Sequence, residues 1–76
     1  MQILSVKFNE NNDKIYHLQI PPSQMVFVGY ILESLEGWVF YTTIDAEKSI
    51  LWVEVIKDYV QEFDDLLPRI INAYLT

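Results

Sequence analysis

The hydrophobic pattern of this chain switches between two periods in a repeated order. Two runs in which apolar and polar residues alternate are followed by one run with helical spacing, and the same order then occurs again. Each half therefore predicts two strands and one helix. Because the whole chain has 76 residues, the halves must share one core, and we predict a single α+β domain over residues 1–76.

A hairpin is predicted at the start of the chain. Residues 3–8 and 14–20 alternate, and the polar residues 9–13 between them favour turn conformations. The second strand should end at Pro21 and Pro22, since proline has no N–H to donate to a neighbouring strand.

The first helix is predicted over residues 23–36. Ser23 is its expected N-cap, and Gly37 is the expected left-handed residue after its end. Val26 and Tyr30 fall on its outer side, where their own chain offers them no core. The inner stripe consists of apolar residues at helical spacing, namely Met25, Phe27, Val28, Ile31, Leu32 and Leu35.

The second half repeats this arrangement with strands at residues 38–44 and 50–56. Asp58 is the predicted N-cap of a last helix that runs to about Leu75. Pro68 falls outside the apolar stripe, so we expect one helix that bends there with the proline facing solvent. The stripe itself consists of Tyr59, Phe63, Leu66, Leu67, Ile70 and Tyr74.

The order of the elements limits how they assemble. A right-handed crossover through the first helix makes strands two and three parallel. If strand four lies between them, every neighbouring pair is antiparallel, the sheet order is 1-2-4-3 and both helices lie on one face. This two-layer ββαββα sandwich is a circularly permuted ferredoxin-like fold. The helices should then cover Leu4, Val6, Phe8, Tyr16, Leu18, Ile20, Leu51, Val53 and Val55.

The sheet face without helices, called the open face, is predicted to be apolar. It should carry Ile3, Ile15, His17, Ile50, Trp52 and Ile56. Strand three adds one alternate set, and we favour Trp38, Phe40 and Thr42 over Val39, Tyr41 and Thr43. A monomer seldom exposes a large contiguous apolar patch, so a second copy of the chain is the expected cover. The predicted interface residues are Trp52, Trp38, Ile50, Phe40, Ile15, His17, Tyr30 and Val26.

Composition excludes several functional classes. The chain has no cysteine, which removes disulfides and thiolate metal sites, and no cofactor is predicted. Its 5 basic residues are scattered among 11 acidic ones, with a net charge of −6, so we expect no binding to nucleic acid or to a membrane. The lack of a long apolar run and of a basic leader predicts a cytoplasmic location.

Two groups of residues in the first half suggest chemistry, and each has a simpler explanation. His17 lies across the predicted hairpin from Ser5, but no oxyanion donor accompanies them. We therefore predict that His17 is a plain histidine on the sheet surface. The two alternatives are a catalytic role and an interface contact whose strength varies with pH. Residues 10–13 lack the ligand number and the glycine of a calcium loop, so they predict a polar turn.

Carboxylates on the two helices are predicted to be solvated. Glu33 and Glu36 tilt towards solvent, with contact to a partner as the alternative for Glu33. The positive end of the helix dipole favours acidic residues at the start of the last helix, and contact with a basic partner is the alternative. These acids are Asp58, Glu62, Asp64 and Asp65.

A helix end, an aromatic strand and the end of that strand carry a family resemblance. Their residues are Ile31, Leu32, Glu33, Glu36 and Gly37, followed by Thr43, Ile44 and Asp45. This pattern resembles a small bacterial family classed as a domain of unknown function, in which a closing strand and helix follow. The resemblance covers residues 25–70 and implies no activity. Trp38 and Tyr41 go beyond the family's pattern.

We therefore expect a non-catalytic interaction module that homodimerises through the open face. The alternative is a small-molecule sensor domain that holds its ligand at a subunit boundary. Sensors of that kind use a glycine-containing loop after the first crossover strand, whereas Pro21 and Pro22 withhold two amides here. An enzyme is the third possibility, and we predict that the domain is not one.

Overall fold

The computed structural model describes the backbone of residues 1–74 and the side chains of residues 1–72. Leu75, the predicted end of the last helix, and the side chain of Tyr74 lie outside this description. The strands are β1 (Gln2–Phe8), β2 (Lys14–Gln19), β3 (Val39–Asp45) and β4 (Ile50–Val55), and the helices are α1 (Met25–Ser34) and α2 (Val60–Tyr74).

The four strands form one antiparallel sheet in the order β1-β2-β4-β3. This confirms the predicted ββαββα arrangement, in which strand two lies between strands one and four. In the centre of the sheet, Tyr16 of β2 is opposite Val53 of β4, and Val53 is opposite Tyr41 of β3. The pairing of the inner strands β2 and β4 therefore places their inward-facing side chains next to one another on the helix side of the sheet.

The core lies between the sheet and the helices. Its buried residues come from β2, β3, β4 and both helices, which places the helices on one face, as predicted. The Tyr16 ring packs against the Phe63 ring of α2, with centroids 5.2 Å apart. The buried core consists of Tyr16, Leu18, Ile20, Val28, Leu32, Val39, Leu51, Val53, Val55, Phe63 and Leu67.

The helix side of β1 differs from the prediction. Leu4, Val6 and Phe8 were expected under the helices, yet all three are exposed. The reason is lateral placement, because the core draws no residue from β1 and the helices pack over the other three strands. A register shift between Ile3 and Ser5 also places Ile3 opposite Leu18, on the helix side and not on the open face.

The start of the first helix also corrects the prediction. A 3-10 turn over Pro22–Gln24 precedes α1, and the N-cap position falls on Gln24, so Ser23 does not cap the helix. Phe27, placed on the inner stripe by its spacing, is exposed. Gly37 has a φ of 89° after the end of α1, which confirms its predicted left-handed conformation.

The last helix is continuous through Pro68, and Pro68 is exposed, both as predicted. Its start differs, because a 3-10 turn over Lys57–Tyr59 comes first and Asp58 makes no capping hydrogen bond. Instead, the carboxylate of Asp13 accepts the Lys57 N–H at 2.9 Å. An acidic residue of the first hairpin thus satisfies a donor that we assigned to a local cap.

Candidate functional site

The open face consists of three rows of side chains that run across the strands. The middle row contains Ser5, His17, Trp52 and Thr42. The row on one side contains Lys7, Ile15, Glu54 and Phe40, and the row on the other side contains Gln2, Gln19, Ile50 and Asp45. Trp52 is 38% exposed and Phe40 is 60% exposed. None of the described helices covers this face. Its exposed apolar surface is therefore concentrated on two aromatic residues of neighbouring strands.

A shallow cleft of about 240 Å³ lies between these aromatics. Phe40 and Thr42 of β3 and Trp52 and Glu54 of β4 line it, together with Tyr41. The lining combines aromatic surface with the Glu54 carboxylate and the Thr42 hydroxyl, so it suits contact with an apolar group that carries a polar edge.

Three other predicted interface residues, Ile15, His17 and Ile50, lie on this face but are less exposed to solvent than Trp52 and Phe40. Ile15 is on the face but only 5% exposed, so it offers little surface for a contact. His17 and Ile50 are half-buried. Ile56 lies just beyond the end of β4 and is also half-buried. The face is consequently less apolar than the alternation indicated.

The other three predicted interface residues lie elsewhere. Trp38 precedes β3 and stacks on Tyr59, with ring centroids 4.7 Å apart and 6° between the planes. It packs against the core from the helix side, so its predicted place on the open face is wrong. Val26 and Tyr30 of α1 are each 68% exposed, as expected for residues outside the inner stripe.

His17 and Ser5 meet across the hairpin, as their predicted register implied. Ser5 Oγ and His17 Nδ1 share a hydrogen bond of 2.9 Å on the open face. Among the described residues, no carboxylate hydrogen-bonds to His17, so the pair lacks the third group that orients a catalytic histidine. A hydrogen bond of this kind is typical of two polar residues that face each other on neighbouring strands at the surface of a sheet.

A polar cluster links the first hairpin to α2 on the helix side of the sheet. Lys14 Nζ donates to Asp64 Oδ2 at 2.9 Å, and the Tyr16 hydroxyl donates to Asp64 Oδ1. Burial raises the pKa of the Tyr16 hydroxyl, and the Asp64 carboxylate raises that pKa further. Tyr16 is thereby held in its neutral, donating form. The sequence placed Tyr16 in the core and Asp64 among solvated acids, and gave no sign that they meet.

A second tyrosine–carboxylate pair links β3 to α1. The Tyr41 hydroxyl donates to Glu33 Oε1 at 3.0 Å. Desolvation raises the pKa of the Tyr41 hydroxyl, and the hydrogen bond to Glu33 adds to this rise. Tyr41 belongs to the alternate set of strand three that was left open, and this contact assigns that set to the helix side. The alternation alone carried no signal for its partner.

The polar turn of the first hairpin is held together from within. Asn9 Oδ1 accepts the N–H groups of Asn11 and Asp13, and Asn9 Nδ2 donates to Asp13 Oδ2. Asn12 takes a φ of 65°, a conformation that asparagine tolerates. In the part of the chain that the structure describes, no three acidic or histidine side chains are grouped to hold a metal ion.

Neither described helix is long and apolar enough to cross a membrane. A family model described as a domain of unknown function, DUF4911, matches residues 18–71, which include most of the core and both open-face aromatics. No curated protein and no solved structure matches the chain significantly.

Proposed function

This chain belongs to the DUF4911 family, and we propose that it is a non-catalytic interaction module that homodimerises through its open face. The second copy would lie sheet to sheet against the first, with Trp52 and Phe40 of each at the centre of the contact. A symmetric pair needs no further sequence, because the same patch serves both sides.

The observation that carries this proposal is the exposure of Trp52 and Phe40 on a face that no described helix covers. Aromatic residues are enriched at the centres of protein interfaces, where each buries a large area at a low entropy cost. The half-buried Ile50 and His17 flank Trp52 and would extend the contact. In this pairing the second copy would shield apolar surface that the helices leave in water.

The flanking polar residues suit the rim of such a contact. Lys7 and Glu54 lie in one row on either side of Ile15, so the face carries both charge signs near its edge. A two-fold pair can set the Lys7 of one copy near the acidic Glu54 of the other, which would favour one register over its alternatives.

Substitutions that introduce a charge on the open face test the proposal, with a matched control on the other face. Phe40 is 60% exposed on the open face, and Phe8 is 59% exposed on the helix side of β1. Phe40→Glu and Trp52→Glu should each lower the dimer fraction in sedimentation velocity at least tenfold, while Phe8→Glu should leave it unchanged. Far-UV circular dichroism of each variant would check that the fold is retained.

Two results would contradict the proposal. One is a wild-type protein that stays monomeric at high micromolar concentration and whose Trp52 fluorescence is red-shifted, as for a solvent-exposed indole. The other is a dimer that Phe8→Glu dissociates and the open-face variants do not, which would place the contact on β1.

The cleft between the aromatics favours one second candidate, a small ligand held at the subunit boundary. Alone, its volume of about 240 Å³ is below the range typical of small-molecule sites, but two copies facing each other would enclose twice that space. Native mass spectrometry of the purified dimer tests this candidate. A mass equal to two bare chains would count against it.

The proposal assigns no catalysis to the domain. Its support is the arrangement around His17, where Ser5 is the hydrogen-bond partner and the described residues supply no orienting carboxylate. A cytoplasmic location stays a prediction from composition, which fractionation of cells expressing the tagged protein would check.

A further inference from the structure

The outer edge of β3 offers main-chain hydrogen-bonding groups. β3 ends the sheet, and the Ile56 N–H donates to the Trp38 carbonyl at 2.9 Å. In an antiparallel ladder, alternate residues turn their N–H and C=O groups towards the neighbouring strand. Val39, Tyr41 and Thr43 consequently turn theirs outward, away from β4. Such an edge is a template for an added strand.

A groove of about 310 Å³ runs beside this edge between α1 and β3. Gly29 lines it without a side chain, and the Tyr41 hydroxyl lies 3.6 Å from where a Cβ of residue 29 would be. We call this concavity the α1–β3 groove. Its lining residues are Met25, Val26, Gly29, Tyr30, Glu33, Tyr41, Thr43 and Leu51.

The groove is acidic and partly aromatic. Glu33 is exposed, and the Tyr41 hydroxyl occupies one oxygen of its carboxylate, which leaves the other oxygen without a partner among the described residues. An adjoining depression of about 580 Å³ adds Glu36. In the described part of the chain, no lysine or arginine lines either concavity. Two carboxylates beside Tyr30 and Tyr41 suit a cationic side chain.

We propose that the edge of β3 and the α1–β3 groove bind an extended, basic segment of a partner protein, which adds to the sheet as a fifth strand. The segment would pair its backbone with Val39, Tyr41 and Thr43. Its residue opposite Tyr41 shares the helix-side face of Tyr41, so a lysine or arginine there would reach Glu33.

A polypeptide fits these features better than a small cation does. The outward groups of alternate residues on β3 match the repeat of a strand, and strand addition is a common mode of peptide recognition. The net charge of −6 adds a long-range attraction for a basic segment. Alternate side chains of the added strand would enter the groove, and the others would continue the open face.

Short capped peptides that alternate threonine with lysine are the probe. Titration into the ¹⁵N-labelled protein should shift the amide signals of Val39, Tyr41, Thr43 and α1 in a saturable way. A peptide with glutamate in place of lysine should not bind. A peptide whose edge-facing amides are N-methylated should also fail, because it cannot pair with β3.

Two variants distinguish a specific contribution of the Glu33 carboxylate to peptide binding from the effect of the net charge of the protein. Glu33→Gln should weaken binding about fivefold, the scale of one exposed ion pair. Glu10→Gln removes the same charge from the exposed hairpin turn and should change binding little. Trp52→Glu should leave peptide binding intact, so this inference and the proposed dimer can fail separately.

Several outcomes would overturn the inference. They are shifts confined to β1, equal binding of the glutamate or N-methylated peptides, equal effects of the two glutamate variants, and no saturable shift at millimolar peptide. In Trp52→Glu, which removes the proposed dimer, shifts of the Val39, Tyr41 and Thr43 amides with protein concentration alone would assign the edge to a second copy and would also overturn it.

Discussion

Asp13 closes the start of the last helix from the other end of the chain, because its Oδ1 accepts the backbone N–H of Lys57 at 2.9 Å. Lys57 opens the 3-10 turn that leads into α2, where an N–H has no partner within the helix. Asp13 is itself fixed by Asn9. The turn of the first hairpin therefore holds α2 in place.

This contact predicts that Asp13→Ala lowers the free energy of unfolding by about 1 to 2 kcal/mol, the usual cost of losing a helix cap. Asp58→Ala is the matched control, since Asp58 is exposed and makes no capping bond. Its effect should stay within about 0.5 kcal/mol. Urea unfolding of both variants measures the difference. Equal losses would contradict the assignment of the cap to Asp13.

Tyr16 should link stability to alkaline pH. Burial and Asp64 raise the pKa of its hydroxyl above the usual 10.0, so the folded state keeps a proton that the unfolded state loses. The stabilisation is complete below that usual pKa and is lost as the pH rises above it. Tyr16→Phe should be less stable at neutral pH by about 1 to 2 kcal/mol and should lose less stability on going to alkaline pH. Identical pH dependence in both proteins would contradict this explanation.

The two glycines predict opposite responses to alanine. Gly29 lies inside α1, and a Cβ there meets only the Tyr41 hydroxyl at an ordinary contact distance of 3.6 Å. Gly29→Ala should therefore stabilise the protein by about 0.5 to 1 kcal/mol. Gly37 has a φ of 89°, so Gly37→Ala should destabilise it by about 1 kcal/mol. Thermal unfolding of the pair checks both signs.

Pro68 should be replaceable. It lies on the exposed side of α2 and gives no N–H to the carbonyl of Asp64 one turn earlier. We expect Pro68→Ala to raise the free energy of unfolding by about 1 kcal/mol. Gln61→Ala, also exposed on α2, controls for the helix propensity of alanine alone. A fall of several degrees in melting temperature for Pro68→Ala would mean that packing requires the proline.

The inner strands could be predicted from sequence because both of their faces carry a clear pattern. In β4, Leu51 and Val53 are buried, whereas Trp52 between them is exposed, as the alternation indicated. The same reasoning placed Tyr16 and Leu18 of β2 correctly in the core. The hairpin signal and the right-handed crossover then gave the sheet order.

The wrong predictions concern positions that strand alternation and local capping rules cannot determine. Alternation assigned Val6 and Phe8 to one face of β1, but whether a helix covers that face depends on where the helices lie across the sheet. Trp38 lies one residue before the β3 ladder and stacks on Tyr59, so its position follows from packing. The cap from Asp13 joins residues 44 positions apart, which no local signal reveals.

The same limit applies to the candidate site. Trp52 and Phe40 were predicted on the open face because each occupies a clear alternate position in a strand. Tyr41 and Glu33 were not predicted as a pair, since their contact needs the relative placement of α1 and β3.

Contact between Trp52 side chains and a second copy is the central claim, and an isotope-filtered nuclear Overhauser experiment measures it directly. A sample that mixes ¹³C-labelled and unlabelled chains reports only contacts between copies. We predict cross-copy signals from the Trp52 indole to Phe40 and Ile50, and their loss in Phe40→Glu. Cross-copy signals confined to β1 or α1, or none at millimolar concentration, would contradict the proposed dimer.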